Sequence, residues 1–144
     1  MSAKKNKATM RRIFEEVFNK GNLAIVDEVI ATNYVVHSPM GQEYKGPEGF
    51  KQMATMSLTA FPDLHMTIND IIAEGDKVAL HFTYTGTHKG DMMGIPPTGK
   101  KINISASLFI RFAGGKEVEA FEIADMLSFY QQLGIKPLTG QGGR

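Results

Sequence analysis

At Phe61-Pro62-Asp63 the periodicity of the chain changes. Upstream, apolar residues return every three or four positions; downstream, from His65 to Phe112, they return every second position. The first pattern is that of a helix with one buried face, the second that of a strand with one buried face. Helices therefore precede a run of strands, which predicts a segregated α+β layout rather than an alternating parallel α/β one. A strongly curved antiparallel sheet wrapped around the helices would bury both apolar faces, and would leave a cone-shaped cavity wherever the helices fail to fill its concave side.

Met10, Ile13, Phe14, Val17 and Phe18 predict an amphipathic helix over Ala8–Lys20, with Arg11, Arg12, Glu15, Glu16 and Lys20 towards water. Residues 1–7 are expected to be frayed. Gly21-Asn22 breaks the pattern, and a short second helix is expected over Leu23–Ile30. Asn33–His37 reads as a short extended piece ending at Ser38-Pro39, and Gly41 and Gly46 frame an irregular segment. Pro47 suits the first turn of a third helix, which carries Phe50, Met53, Ala54, Ser57, Leu58 and Phe61 on its apolar side.

Strict alternation in the first long strand, His65–Glu74, sets Met66, Ile68, Asp70 and Ile72 against Thr67, Asn69, Ile71 and Ala73. After a turn at Glu74–Lys77, Val78–Thr85 turns Val78, Leu80, Phe82 and Tyr84 one way. Lys101–Phe112 does the same with Ile102, Ile104, Ala106, Leu108, Ile110 and Phe112. Its other side carries a polar line, Asn103, Ser105 and Ser107, which suits a ligand hydroxyl or water. Ala113–Lys116 is a tight turn, Glu117–Ala124 a last strand, and Asp125–Leu133 a terminal helix capped by Asp125 and stopped by Gly134 and Pro137. The tail Thr139–Arg144 is expected to be loose. Between the two central strands lies Gly86–Lys100, GTHKGDMMGIPPTGK, whose glycines and Pro96-Pro97 cannot continue a ladder. It reads as a long shaped loop, with His88, Asp91, Met92 and Met93 placed to line a cavity mouth.

The 144 residues suit a single domain over residues 1–144, with its ordered core expected from about residue 8 to about residue 137. A formal net charge of +1 argues against a basic nucleic-acid surface, and no stretch is long enough to span a bilayer. A cytoplasmic location is the expectation. The absence of cysteine excludes disulfides, thiolate nucleophiles and cysteine-ligated metals. His37, His65, His81 and His88 have no metal-motif spacing. In the last strand, alternation groups Val118, Ala120, Glu122 and Ala124 opposite Glu119, Phe121 and Ile123. If the smaller side faces the cavity Glu122 enters it, whereas a bulge would admit Glu119.

With FPDL at Phe61–Leu64, AEGDKV at Ala73–Val78, the Gly86–Lys100 loop, VVHSP around His37 and AFEIADMLSFYQQLG at Ala120–Gly134, the chain resembles the SnoaL-like polyketide cyclases, also called ester cyclases, from Met10 to Pro137. The resemblance implies an NTF2-like (cystatin-like) cone-shaped barrel, no metal and no organic cofactor, and ring closure of a polyketide by intramolecular aldol chemistry with a carboxylate as acid or base. It implies a small hydrophobic or aromatic polyketide-like ligand, and a homodimer or homotetramer built on the outer side of the sheet. Glu122 stands where the family commonly has the aspartate of Trp-Asp, and Leu108 where relatives carry a histidine or aspartate. His37 and then His88 are the candidates for the missing second group. Candidate substrate-contacting residues are Phe14, Phe18, Tyr34, Met53, Phe82, Met92, Ser105 and Phe121. A ligand-binding protein without chemistry, or another NTF2-like isomerase or hydrolase, are the competing expectations.

Overall fold

The computed structural model describes residues 2–135. The first helix, α1 (Ala3–Ile13), begins before the expected start, because Ser2 caps it by accepting the Lys5 N–H. Residues expected to fray are thus helical from Ala3. From Phe14 to Asn19 the helix widens into a π-helical segment, which re-aims Phe14, Val17 and Phe18 into the interior. A single 3₁₀ turn, Leu23–Ile25, leads into α2 (Val26–Val29), so the second helix is shorter than the pattern suggested. β1 (Ile30–His37) takes up the remainder, and the segment expected to be irregular holds a short strand, β2 (Glu43–Lys45). Then follow α3 (Gly46–Ala60), β3 (His65–Glu74), β4 (Lys77–Thr87), β5 (Lys101–Ala113), β6 (Lys116–Ala124) and α4 (Met126–Leu133). Asp125 caps α4 by accepting the Ser128 N–H, and Gly134 ends it in the left-handed conformation. Pro137 and the tail from Thr139 lie outside the described residues.

The six strands form one sheet in the order β2-β1-β6-β5-β4-β3. It curves around α1, the π segment and α3 without closing, so the expected barrel is an open one with β2 and β3 at its edges. Nor is it wholly antiparallel, since β1 runs parallel to β6. The β3 edge is partly covered by Asn19, whose side-chain amide pairs with the Met66 backbone as an extra strand residue would, at 2.7 and 3.0 Å. Gln132 of α4 does the same for Asn103 of β5, at 2.7 and 3.1 Å.

Two bulges overturn strict alternation. In β3 the register slips between Ile68 and Asp70, so Met66, Ile68, Ile71 and Ala73 face the core while Ile72 is 66% exposed. In β6 it slips at Val118, because Arg111 faces Glu119 but Phe112 faces Glu117. An unpaired extra residue bends its strand and flips the side chains beyond it. β4 and β5 keep the expected alternation, with Val78, Leu80, Phe82, Ile102, Ile104, Ile110 and Phe112 buried.

The Gly86–Lys100 stretch is pinned to the end of α3. Asp63 accepts both the Thr87 N–H and its hydroxyl, at 2.7 and 2.8 Å. The N–H groups of Lys89 and Gly90 cover the Ala60 carbonyl at 3.0 and 3.2 Å, satisfying an orphan acceptor at the helix C-terminus. That approach requires a glycine, since a Cβ on residue 90 would lie 2.0 Å from the Thr59 carbonyl oxygen. Gly90→Ala is expected to cost at least about 2 kcal/mol, the scale of overpacking against backbone that cannot yield. Chemical denaturation checks this, with an unchanged midpoint as the contrary result.

Candidate functional site

The concave side of the sheet, α1, the π segment, α3 and α4 enclose a cavity of about 200 Å³. Phe14, Phe18, Tyr34, Phe50 and Phe82 wall it, packed edge to face; the Phe14 and Phe82 centroids are 5.0 Å apart. All eight methionines among the described residues line it. Unbranched, polarizable thioethers conform to a flat ligand more readily than branched side chains do. Met40 and Met93, nearly half exposed, mark the mouth. Met93 holds a positive φ of 47° in a tight turn whose Met92 and Ile95 exchange backbone hydrogen bonds at 3.0 and 2.8 Å, which sets its side chain on the rim.

Two carboxyls enter this apolar space, Glu122 and Glu117, both from β6. The Val118 bulge puts them on one face of the strand together with Ala120 and Ala124. Among the described residues, no lysine, arginine or histidine lines the cavity. Burial pushes Glu122 up to about 7 and Glu117 up to about 8. Tyr34 and Tyr84 keep their phenolic protons well beyond the ordinary range, first through burial and then through nearby charge, that of Glu117 and then Glu122 for Tyr34, and that of Glu122 and then Asp125 for Tyr84. The set therefore offers a carboxylate able to accept a proton near neutral pH and phenols that stay protonated and can donate a hydrogen bond.

Of the residues expected to touch substrate, Phe14, Phe18, Tyr34, Met53, Phe82 and Met92 line the cavity. Ser105 and Phe121 do not: alternation sends both to the outer face, together with Asn103 and Ser107. His37 is also outside. It stacks on Phe121 with centroids 4.4 Å apart, and its ring nitrogens meet Glu43 at 3.1 Å and Glu119 at 3.0 Å. Arg111 joins Glu119 from β5 at 3.6 Å. The bulge thus brings in Glu117 and leaves Glu119 on the surface. His88 is fully buried inside the loop, where its Nδ1 accepts the Thr98 N–H at 3.2 Å. It packs on Phe61 and is not among the cavity-lining residues. Asp91 caps the Met93-Gly94 turn by accepting the Gly94 N–H at 3.1 Å.

Glu117 was not singled out from the sequence, although a signal was there. Counting across the tight Ala113–Lys116 turn pairs Phe112 with Glu117 on the inner face, whereas counting from the helix end puts Glu122 inside. The two parities conflict unless one residue bulges.

The SnoaL-like polyketide cyclase model matches residues 8–133 of this chain. The chain belongs to that family. Over 135 residues it is 30% identical to the aklanonic acid methyl ester cyclase DnrD of Streptomyces peucetius, covering 90% of this chain and 91% of the relative. Among solved structures, IdmH of Streptomyces antibioticus is 31% identical with a TM-score of 0.77, covering 90% of this chain and 99% of that one. TsrD of Streptomyces laurentii, 22% identical with a TM-score of 0.84 over 94% and 99% of the two chains, shares the fold. In this SnoaL-like chain Leu108 is the direct cross-strand neighbour of Glu122, so β5 supplies no titratable partner at that position.

The raised carboxyls have a stability signature. Glu117 titrates near its ordinary value of 4.5 when unfolded and near 8 when folded. Between those values the folded protein holds a proton that the unfolded chain has released, so rising pH favours unfolding. Replacing Glu117 by Gln removes this dependence. The stability of the variant relative to the parent is expected to grow by about 3 kcal/mol from pH 5 to pH 8. Urea titrations at the two pH values measure it, and a constant difference would show that Glu117 is ionised in the folded protein.

Proposed function

We propose that this protein closes a ring in an aromatic polyketide ester by intramolecular aldol chemistry, with Glu122 as the base. The observation that carries the reading is an uncompensated carboxyl facing an apolar, aromatic-walled cavity in a SnoaL-like chain. With an affinity for protons near pH 7, Glu122 is partly ionised at neutral pH and can take a proton from a carbon flanked by carbonyls. The resulting enolate carbon attacks a ketone carbon of the same molecule. One carbon–carbon bond forms, the ketone π pair becomes an alkoxide, and that oxygen takes the proton back from Glu122. Substrate and product are isomers, so no co-reactant is consumed. Tyr84 is the phenol placed to donate to the enolate oxygen, because it lies within the field of Glu122 and stays protonated. Holding the two carbons of one chain together in a closed pocket supplies much of the rate.

The compound named for the Streptomyces relative, aklanonic acid methyl ester, is the first substrate to try. The parent is expected to convert it with a rate that rises with pH through an inflection near 7. Glu122→Gln is expected to lower kcat by roughly 10²–10⁴-fold and to abolish the inflection, with KM little changed. Turnover by the Gln variant at the parental rate, with the same inflection, would remove Glu122 from the chemistry.

The outer face of the sheet supports a homodimer. Ile72, Phe109, Phe121 and Ile123 form an exposed apolar patch there, with Ile123 71% exposed. Light scattering is expected to give twice the chain mass for the parent and the chain mass for Ile123→Lys. A monomeric parent would overturn this assembly.

A further inference from the structure

Glu117 is 2% exposed, its side chain lines the cavity, and its raised proton affinity comes from burial, with no hydrogen bond to lower it. It sits opposite Phe112 on β5 and beside Ile30 on β1, both buried apolar residues. Tyr34 is the phenol close enough to respond to its charge. A buried carboxyl without a partner is costly even when neutral, because it gives up the hydrogen bonds water would make. The cavity around it is otherwise a binding surface, so the missing partner is one that a ligand can supply.

Its distance from Glu122 follows from the register. Glu122 pairs with Leu108 and Glu117 with Phe112, positions four residues apart on the same strand. At about 3.3 Å per residue the two backbone positions are about 13 Å apart along the cavity. The exposed lining residues Met40 and Met93 mark the mouth, whereas the surroundings of Glu117 are buried. A fused-ring compound spans that length, and a single small ring does not.

We propose that Glu117 is a polar subsite at the blind end of the cavity, which receives a hydroxyl or carbonyl oxygen on the leading ring of a fused-ring ligand. This rests on the reading of Glu122 given above, for it sets the ligand so that a carbon further back lies at that base. A protonated carboxyl donates through O–H and accepts through C=O, and so satisfies a phenol and a quinone oxygen alike. An anionic tip is rejected because none of the described residues lining the cavity is a cation that could receive it. A hydrocarbon tip leaves the carboxyl unpaired and is rejected for that reason. Glu117 is thus a specificity residue that fixes which end of a ring system enters first, and it takes no part in bond making.

The test compares binding of 2-hydroxyanthraquinone and 2-methylanthraquinone, compounds of similar shape that differ in a terminal hydroxyl. Fluorescence titration at pH 6 of the full-length protein is expected to favour the hydroxyl compound by roughly 10-fold or more. Glu117→Leu is expected to abolish or reverse the preference, and Glu117→Gln, which preserves a donor and an acceptor, to retain much of it. Glu122→Gln is expected to leave it unchanged, since that group lies at the other end. Equal affinities in the parent, binding of neither compound, or a preference that survives both Glu117 substitutions would overturn the subsite. The measurement needs no turnover. A protein that shows the hydroxyl preference but does not cyclise the ester loses the role proposed for Glu122 and keeps that of Glu117.

Discussion

A strand of strictly alternating side chains cannot place residues an odd number of positions apart on the same face. Glu117 and Glu122 are five positions apart, and both point into the cavity. The structure reconciles this by inserting Val118 as an extra residue opposite β5. That one insertion decides which acidic side chains of β6 are inside and which are out. Without it, Glu119 would not meet His37 and Arg111 on the surface while Glu117 sits beside the apolar cluster. The bulge in β3 acts in the same way at the sheet edge, turning Ile71 inward and Ile72 out. Both bulges add bend and twist, and a curved sheet is what leaves room between itself and the helices.

The loop that joins β4 to β5 depends on a different constraint. Its chemistry-bearing residues are mostly spent on holding the loop rather than facing a ligand. Asp63 is consumed by Thr87, and the backbone hydrogen bonds fall as depressed proton affinity on that carboxyl, chiefly through the Thr87 N–H. Nδ1 of His88 is taken by Thr98 and its ring packs on Phe61, while Nε2 is buried without a partner among the described residues. What the loop then presents to the cavity is Met92 and Met93, two side chains without charge. Rigid attachment at Ala60 and a soft apolar tip suit a rim that fixes the position of the mouth while adapting to the shape of what enters.

Much of the architecture was legible because its signals are local. The switch of period at Pro62, the alternation through β4 and β5, the glycine-framed turns and the Asp125 and Gly134 caps each depend on a few neighbouring residues. The apolar wall was legible for the same reason, since Phe14, Phe18, Met53 and Phe82 lie on faces that periodicity assigns to the interior. What could not be read depends on distant pairing. The parallel contact between β1 and β6 is a property of two segments far apart, and it is what carries His37 onto Phe121 at the outer face. Ser105 and Phe121 were placed in the cavity because polar and aromatic groups suit a ligand, but their parity on β5 and β6 sends them outward. His88 shows that a histidine in a conspicuous motif can serve to fasten its loop.

The cavity is unusual in what it withholds. A single positive side chain among its lining residues would draw both carboxyls back towards ordinary values, and each would then be ionised at neutral pH. In the proposed reaction a fully ionised Glu122 would be a weaker base, and an ionised Glu117 would repel the electron-rich oxygens of the proposed ligand. Withholding the cation leaves both groups poised near neutrality at a cost in stability that grows with pH. Leu108 extends the same logic. β5 sets no second titratable group across the strand from Glu122. In the proposed reaction Glu122 therefore takes the proton from carbon and returns it, with Tyr84 donating a hydrogen bond to the oxygen, and the substrate has to remain in place between the two transfers. Enclosure by aromatic rings and methionines, together with an anchor about 13 Å deeper along the cavity, is the kind of hold that such a single-carboxylate cycle demands.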